Sequence, residues 1–425
     1  MGAERGAEGD PVPIARRLAP LMIPALLVGV GSALVLVAVD VAAAFIQGWV
    51  WTTLPGTLGV DGGGALWTVG VLTLAGLAVG LIVWKAPGHA GPDPATVELV
   101  EEPLEPRALP GLLAAVVLAL ACGVSLGPEN PVIGATVTLA HWAGRRLVPA
   151  APARVWVGLA TAATIGALFS TPVAAALLLT EAAAGDREEP LWDRLVLPLI
   201  AAGAGAVTAH VFGAHSLSLP LPAYPGPSVG DVLTGSVVAL VGGVLGLALV
   251  YAFPLVHGWF QRLRHPVLMI GTGGLVLGLL GAIGGPLTMF KGLEQMGALV
   301  ERSADVGVAA LAVIIVFRMA ALLTAASCGF RGGRIFPAVF AGVALGLLVA
   351  KLVPAVPVSL AVACALLGIL TAVTRQGWLS LFVAVTVVPD LGLLPVLCLV
   401  VLPAWLLVSG RPEMVVSAAP DSERD

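Results

Sequence analysis

Two segments of the sequence combine glycine and proline in a pattern that could bind an anion. Residues 122–131 read Cys-Gly-Val-Ser-Leu-Gly-Pro-Glu-Asn-Pro, and residues 328–337 read Cys-Gly-Phe-Arg-Gly-Gly-Arg-Ile-Phe-Pro, at an offset of 206. Glycine allows a sharp change of backbone direction, and proline suits the first turn of a helix because an N–H there has no intrahelical acceptor. Each segment therefore predicts a break followed by a helix start, whose unpaired N–H groups and positive dipole end attract anions.

Glu129 carries the full charge of the first segment. It is the one Asp, Glu, Lys or Arg between positions 108 and 144. An ionisable side chain in a long apolar stretch is costly and is a functional hypothesis by default. A carboxylate beside two helix starts can occupy the anion site itself and leave it when protonated or displaced, which makes a gate. The alternative is that Glu129 caps a helix at a water-exposed break.

The amino-acid composition indicates that the helices around these two segments lie in a membrane. The chain has 425 residues, of which 58% are hydrophobic and only 11% charged, with a formal net charge of −4; its mean hydropathy is +1.02. Soluble proteins are roughly a quarter charged. These values exclude a cytosolic enzyme, a nucleic-acid binder and a disordered scaffold, and they predict a polytopic helical membrane protein. Its four cysteines have no metal-ligand spacing, so neither a metal nor a cofactor is expected.

Charge-free runs of uneven length predict on the order of 10–14 membrane helices, some too short to span a bilayer. The repeated segments predict two halves, inverted in the membrane, with the anion held where the broken helices meet. The basic pair Arg16 and Arg17 places the N-terminus in the cytoplasm. The predicted organisation is a cytoplasmic tail (1–17), a transmembrane domain at 18–410 with halves of about 18–213 and 229–410, and a short polar tail (411–425).

Three stretches resemble one known family. Gly127-Pro128-Glu129-Asn130-Pro131 resembles the Gly-Lys/Arg-Glu-Gly-Pro signature of the CLC chloride channels and chloride/proton antiporters, whose glutamate is the gate. Gly332-Gly333-Arg334-Ile335-Phe336-Pro337 resembles the family's Gly-x-Phe-x-Pro signature, whose amides help to bind the central anion. Phe169-Ser170-Thr171-Pro172, followed by Leu177-Leu178-Leu179-Thr180-Glu181, resembles a family segment that ends in a glutamate.

The resemblance implies an all-α polytopic membrane protein with a CLC-like inverted repeat of broken and tilted helices. It also implies a homodimer in the cell membrane, in which each subunit has its own pathway for a small inorganic anion, chloride or fluoride. Glu129 would be the gate, and Glu181 would belong to a proton or gating pathway or be an interfacial helix-end charge. The backbone amides assigned to anion binding are those of Gly91, Pro128, Asn130, Arg334, Ile335 and Phe336.

Several positions depart from the family pattern and resemble a divergent bacterial branch of ion-transport proteins. Pro128 replaces the basic residue, and Asn130 replaces a glycine. The counterpart of the family's Gly-Ser-Gly-Ile-Pro segment, residues 88–92, offers no serine, and Met414 stands where a tyrosine is usual. Both usual hydroxyls of the chloride site are therefore absent, so backbone amides must carry more of the coordination.

The residue after Glu181 bears on coupling. Family antiporters usually have a second glutamate there that relays protons, whereas this chain has Ala182. We therefore expect channel-like or uncoupled anion conduction, with a proton-coupled chloride or fluoride antiporter as the alternative. A remote alternative is an intramembrane enzyme that uses Ser125 or Ser327, but no histidine has an evident position as its base, so an enzyme is not expected.

Three arginines lie near these segments. Arg318 interrupts an apolar run and is expected to reach the lipid headgroups rather than to pair with a glutamate. Arg331 and Arg334 flank the second break. They either raise the local anion concentration or are ordinary basic residues of a membrane loop.

Overall fold

The computed structural model describes residues 14–100, 102–182, 190–213 and 217–416. These residues form α-helices joined by short 3₁₀ and irregular segments. The helices of the first part are α1 (Ile14–Gly48), α2 (Leu54–Leu58), α3 (Ala65–Lys85), α4 (Leu109–Ala121), α5 (Glu129–Leu147), α6 (Ala153–Phe169), α7 (Pro172–Ala182) and α8 (Leu191–Val211). Those of the second part are α9 (Val229–Gln261), α10 (Pro266–Gly284), α11 (Leu293–Glu301), α12 (Val308–Ser327), α13 (Ile335–Leu352), α14 (Val358–Thr374), α15 (Gly377–Val387) and α16 (Leu394–Val408).

The helices differ widely in length, as the charge-free runs predict. In the described part of the chain, eight helices are long and apolar enough to cross a membrane, and five further apolar helices are shorter. The longest apolar stretch, Leu18–Leu58, has 41 residues, which corresponds to about 60 Å of helix. Because the hydrocarbon core of a bilayer is only about 30 Å thick, this stretch must run obliquely. The prediction of an all-α fold with tilted helices of unequal length is confirmed.

Small residues bring the two parts of the chain into close contact where α3 crosses α10. A methyl group added at Gly76 of α3 would lie 3.1 Å from the Cα atom of Gly274 in α10. Carbon atoms normally approach to about 3.5–4.0 Å. Any larger side chain at Gly76 would therefore force the helices apart, and this contact joins the first part to the second.

The helix order α4 to α8 is repeated as α12 to α16. In both copies, a helix ends at a glycine with positive φ, Gly123 (94°) or Gly329 (91°), before a short irregular segment and a new helix. In both copies, the third helix also ends at a residue with a left-handed backbone conformation, which is Ser170 after α6 and Arg375 after α14. The sequence repeat thus corresponds to a repeat of structure, and the helices α9, α10 and α11 lie between the two copies along the chain.

The structure describes a few residues beyond each predicted end of the transmembrane domain, and the predicted boundaries stay a prediction. Helix α1 is described from Ile14, and its apolar stretch starts at Leu18. Of the predicted polar tail, residues 411–416 pack onto the domain: Met414 is fully buried, and the N–H of Val416 donates to the carbonyl oxygen of Ala95 at 2.8 Å. These residues belong to the folded unit because an apolar side chain and a backbone donor are both satisfied there. The remaining tail positions, 1–13 and 417–425, lie outside the described residues.

Candidate functional site

The two predicted breaks lie side by side and are hydrogen-bonded to each other. The N–H of Gly127 donates to the carbonyl oxygen of Gly333 at 2.9 Å, and the N–H of Gly333 donates to that of Gly127 at 2.7 Å. Such reciprocal bonding between equivalent residues is what a two-fold relationship between the copies produces. It brings the starts of α5 and α13 together, so that the positive dipole ends of two helices converge inside the protein.

Glu129 fills the space between these helix starts. It is the first residue of α5 and is completely buried. Its Oε1 atom accepts a hydrogen bond of 2.7 Å from the N–H of Phe336 in the first turn of α13. Its Oε2 atom has no hydrogen-bond partner among the described residues. The carboxylate therefore stands where an anion attracted by the start of α13 would bind.

The structure separates the amides that were assigned to anion binding into two groups. The N–H groups of Asn130, Ile335 and Phe336 belong to first turns of α5 and α13, where no acceptor exists within the helix. The assignment of Pro128 was wrong in its chemistry, because a proline nitrogen carries no hydrogen to donate. The N–H of Gly91 is also engaged elsewhere, since it donates to the carbonyl oxygen of Gly88 at 3.0 Å.

Arg331 and Arg334 bind the segment that follows α3. The Arg331 guanidinium is buried and donates to three successive carbonyl oxygens, those of His89 (2.7 Å), Ala90 (2.9 Å) and Gly91 (2.9 Å). Arg334 precedes α13, and its Nη2 atom donates to the carbonyl oxygen of Val97 at 2.8 Å. Both cations therefore connect residues 89–97 to the second break, which is a more specific role than that of ordinary basic residues of a loop.

Glu181 and Arg318 bind partners other than the carboxylate of Glu129. The Oε1 atom of Glu181 accepts a hydrogen bond of 3.0 Å from the N–H of Trp378, at the start of α15. Arg318 does not reach the membrane surface as expected, since it is completely buried. Its Nη1 atom donates to the carbonyl oxygen of Met289 at 2.7 Å, and its guanidinium lies 4.8 Å from the ring centre of Phe340. The carbonyl and the aromatic ring provide interior partners that the sequence pattern does not reveal.

Sequence reasoning missed one ion pair near the site. The Nζ atom of Lys291 donates to Oδ1 of Asp40 in α1 at 2.8 Å, and both side chains are partly buried. The residue before Lys291, Phe290, donates its N–H to the carbonyl oxygen of Gly123 in the first break at 2.9 Å. The sequence does single out Asp40, because it is the one charged residue between Arg17 and Asp61. Its partner Lys291 lies 251 positions away and could not be identified from the sequence.

The residues weighed for an intramembrane enzyme do not form a catalytic pair. The hydroxyl groups of Ser125 and Ser327 are buried and have no partner among the described residues. The Nδ1 atom of His257 lies 3.0 Å from the carbonyl oxygen of Ser327, not from its hydroxyl group. A nucleophile needs a base within hydrogen-bond reach, and this histidine instead contacts the backbone.

Comparison with known proteins identifies the family of this fold and site. A family model described as "Voltage gated chloride channel" matches residues 71–409, most of the chain. The chain belongs to this CLC family. Members of the CLC family are channels and transporters rather than enzymes, so the protein is a multi-pass membrane protein for CLC-type anion transport.

Individual relatives and solved structures agree with the family match. Proteins of Escherichia coli and Shigella boydii that are named "Putative ion-transport protein YfeO" are 49% identical over 405 residues, which is 95% of this chain and 97% of theirs. The structure of a CLC-type fluoride/proton antiporter matches with a TM-score of 0.74 and 21% identity, over 94% of this chain and 97% of that one. That of a slow cyanobacterial Cl⁻/H⁺ antiporter matches with a TM-score of 0.75 and 18% identity, over 92% and 94%.

The departures from the CLC pattern can now be located in the fold. Pro128 stands directly before Glu129, so the basic residue that the CLC signature has at this position is absent. Residues 88–92 offer no serine, and the carbonyl groups of residues 89–91 accept hydrogen bonds from the Arg331 guanidinium. Met414, in place of a tyrosine, is buried. The hydrogen-bond donors at the two helix starts are therefore mainly backbone amides.

Proposed function

We propose that this protein conducts a small inorganic anion, chloride or fluoride, along a pathway that the Glu129 carboxylate closes. The observation that carries the proposal is the hydrogen bond from the N–H of Phe336 to Oε1 of Glu129. In this position the carboxylate competes with an anion for the start of α13, because both are attracted by the same amide and the same dipole end. Partial charges bind an anion weakly enough for it to leave again, which conduction requires.

Protonation should open this pathway. A carboxyl group that binds a proton loses the charge with which it is held at the helix starts, and burial in a low-dielectric interior favours the neutral form. Anion flux should therefore increase as the pH falls. The cell membrane is the proposed location, and a homodimer with one pathway in each subunit is the proposed assembly.

Uncoupled conduction is proposed as the mode of transport because Ala182 provides no carboxyl group after Glu181. Glu181 itself accepts a hydrogen bond from the N–H of Trp378 at the start of α15. The second candidate is a proton-coupled antiporter of chloride or fluoride. It is favoured by the names of the structural neighbours, which are a fluoride/proton antiporter and a Cl⁻/H⁺ antiporter.

The gate is tested by anion efflux from liposomes that contain the purified protein, with chloride, fluoride and nitrate measured at several pH values. Glu129→Gln keeps the shape of the side chain without its charge. We expect this variant to conduct faster at neutral pH and to lose the dependence on pH. The matched control is Glu301→Gln, which removes an exposed charge at the end of α11. Unchanged flux and an unchanged pH response in Glu129→Gln would refute the site assignment.

The transport mode is tested in the same liposomes by an imposed proton gradient without an anion gradient. Uncoupled conduction predicts that no anion accumulates against its own gradient when the membrane potential is clamped. Accumulation driven by protons would instead establish the antiporter. In that event Glu129→Gln should abolish the proton movement, because it removes the one buried carboxyl group at the helix starts.

A further inference from the structure

Arg318 in α12 is a buried cation without a negatively charged partner among the described residues. Its side chain is completely buried. Its Nη1 atom donates to the carbonyl oxygen of Met289 at 2.7 Å, whereas its Nε and Nη2 atoms have no hydrogen-bond partner in the described part of the chain. Burying an ion without an opposite charge is strongly unfavourable. Two unused donors and an unpaired charge therefore indicate that the guanidinium binds a partner from outside the chain.

The start of α11 lies directly against this guanidinium. Gly292 is the buried residue that precedes α11, and no side chain caps the helix there. A methyl group added at Gly292 would overlap Nη2 of Arg318 and lie 3.2 Å from its Cζ atom. The first N–H groups of a helix have no acceptor within the helix, and they carry the positive end of its dipole. A cation at this end is repelled by the dipole, so the guanidinium and the helix start together form a region that only an anion can stabilise.

The charged residues next to Gly292 in the sequence do not neutralise this region. Lys291 is a further cation, and its ammonium group binds the carboxylate of Asp40 at 2.8 Å. Glu294, the acidic residue in the first turn of α11, is exposed. The ring of Phe340, whose centre lies 4.8 Å from the guanidinium, carries no net charge. The described neighbours thus leave the buried guanidinium without a counter-charge, which an anion from solution can provide.

The region adjoins the two breaks but is not the place that Glu129 fills. Phe340 lies four residues, or about 6 Å of helix, after Phe336, whose N–H binds the Glu129 carboxylate. Phe290, two residues before Gly292, donates its N–H to the carbonyl oxygen of the first break at 2.9 Å. The start of α11 and the guanidinium are therefore connected to both breaks through the backbone and through α13.

We propose that Arg318 and the start of α11 bind a second small inorganic anion, chloride or fluoride. Its donors are Nε and Nη2 of Arg318 and the first N–H groups of α11. Because this site contains a full positive charge, it binds its anion more tightly than the partial charges at the starts of α5 and α13 do. Repulsion between anions at neighbouring sites helps each of them to leave, which favours conduction. The inference takes the class of anion from the proposed function, but it does not depend on Glu129 as the gate.

The experiment measures thermal unfolding of the purified protein in detergent while gluconate is replaced by chloride or fluoride at constant ionic strength. An anion that binds only the folded protein raises the unfolding temperature, and we expect a rise of roughly 2–5 °C. Alkaline pH keeps Glu129 ionised, so that its carboxylate competes with anions at the other site. Arg318→Met should abolish the rise. The matched control is Arg302→Met, the same change at an exposed position after the other end of α11, and it should keep the rise.

A second variant keeps the test decisive if Arg318→Met does not fold. Arg318→Gln retains a donor for the carbonyl oxygen of Met289 but has no charge, and it should also lose the rise. A structural role of Arg318 alone predicts a different result, because the variants would then unfold at a lower temperature while chloride or fluoride still raised that temperature as in the unaltered protein.

Failure of this site and failure of the proposed gate give different results. If neither chloride nor fluoride raises the unfolding temperature of the unaltered protein, or if the Arg318 variants keep the rise, the second anion site is overturned. If Glu129→Gln conducts like the unaltered protein while the rise is lost in the Arg318 variants and kept in Arg302→Met, the gate is wrong and the second site stands. Loss of the rise in Arg302→Met as well would show a general effect of surface charge and would overturn the inference.

Discussion

Gly333 lies directly against the Glu129 carboxylate, so a single methyl group there should displace the proposed gate. A Cβ atom at Gly333 would lie 2.7 Å from Cδ and 3.0 Å from Cβ of Glu129 and would overlap Oε2. Ordinary carbon contacts are about 3.5–4.0 Å. The backbone of Gly333 does not adopt a positive φ, so alanine itself is compatible with it. The substitution Gly333→Ala therefore acts mainly by pushing the carboxylate away while its charge is kept.

The size of the effect follows from the bond that is lost. A hydrogen bond to a charged group contributes about 1.5–3 kcal/mol, and each 1.4 kcal/mol changes an equilibrium about tenfold. Losing the bond from Phe336 to Glu129 should thus favour the open arrangement by roughly 10- to 100-fold. In liposomes at neutral pH, where the carboxylate is expected to close the pathway, Gly333→Ala should raise anion efflux by up to that factor.

A double-mutant cycle separates this mechanism from a general disturbance of the break. In a Glu129→Ala background no carboxylate remains to be displaced, so adding Gly333→Ala should have no further effect on efflux. A control for disturbance of the break itself is Gly332→Ala, whose Cβ atom would lie nearest to Leu126, at 2.6 Å, and 3.1 Å from the carbonyl oxygen of Gly127. The reasoning is refuted if Gly333→Ala changes efflux equally in both backgrounds, or if a normally folded Gly333→Ala protein conducts like the unaltered one.

Two further predictions concern Glu181 and Arg331, whose side chains bind backbone groups. Glu181→Ala removes the hydrogen-bond acceptor at the start of α15 and should lower the free energy of unfolding by about 0.5–2 kcal/mol. Thermal unfolding in detergent measures this change, and anion efflux should keep its pH response. Loss of that response would place Glu181 in a proton pathway. Arg331→Met removes three bonds to the carbonyl groups of residues 89–91 and should cost about 4.5 kcal/mol of stability or more, at roughly 1.5–3 kcal/mol for each bond to a charged group. The preference among chloride, fluoride and nitrate should be unaltered. A changed preference at an unchanged unfolding temperature would contradict the structural role.

The sequence predicts the parts of this site that depend on local chemistry. Glycine and proline at constant offset indicate the two breaks, and the isolated charge of Glu129 indicates which side chain lies between them. Contacts between distant positions were not predictable: Lys291 and Asp40 are 251 positions apart, and Arg331 reaches carbonyl groups about 240 positions earlier. The family motif also predicted an amide donor at Pro128, which was wrong because a proline nitrogen has no hydrogen to donate.

The reciprocal bonds between Gly127 and Gly333 have a consequence for the biosynthesis of the protein. The first break leaves the ribosome 206 residues before its partner, which at 5–20 residues per second corresponds to roughly 10–40 s. During that time the N–H and carbonyl groups of Gly127 lack the acceptor and donor that they have in the finished fold. A chain that is released early thus keeps unsatisfied polar groups at the centre of its apolar half, which would mark it for quality control in the membrane.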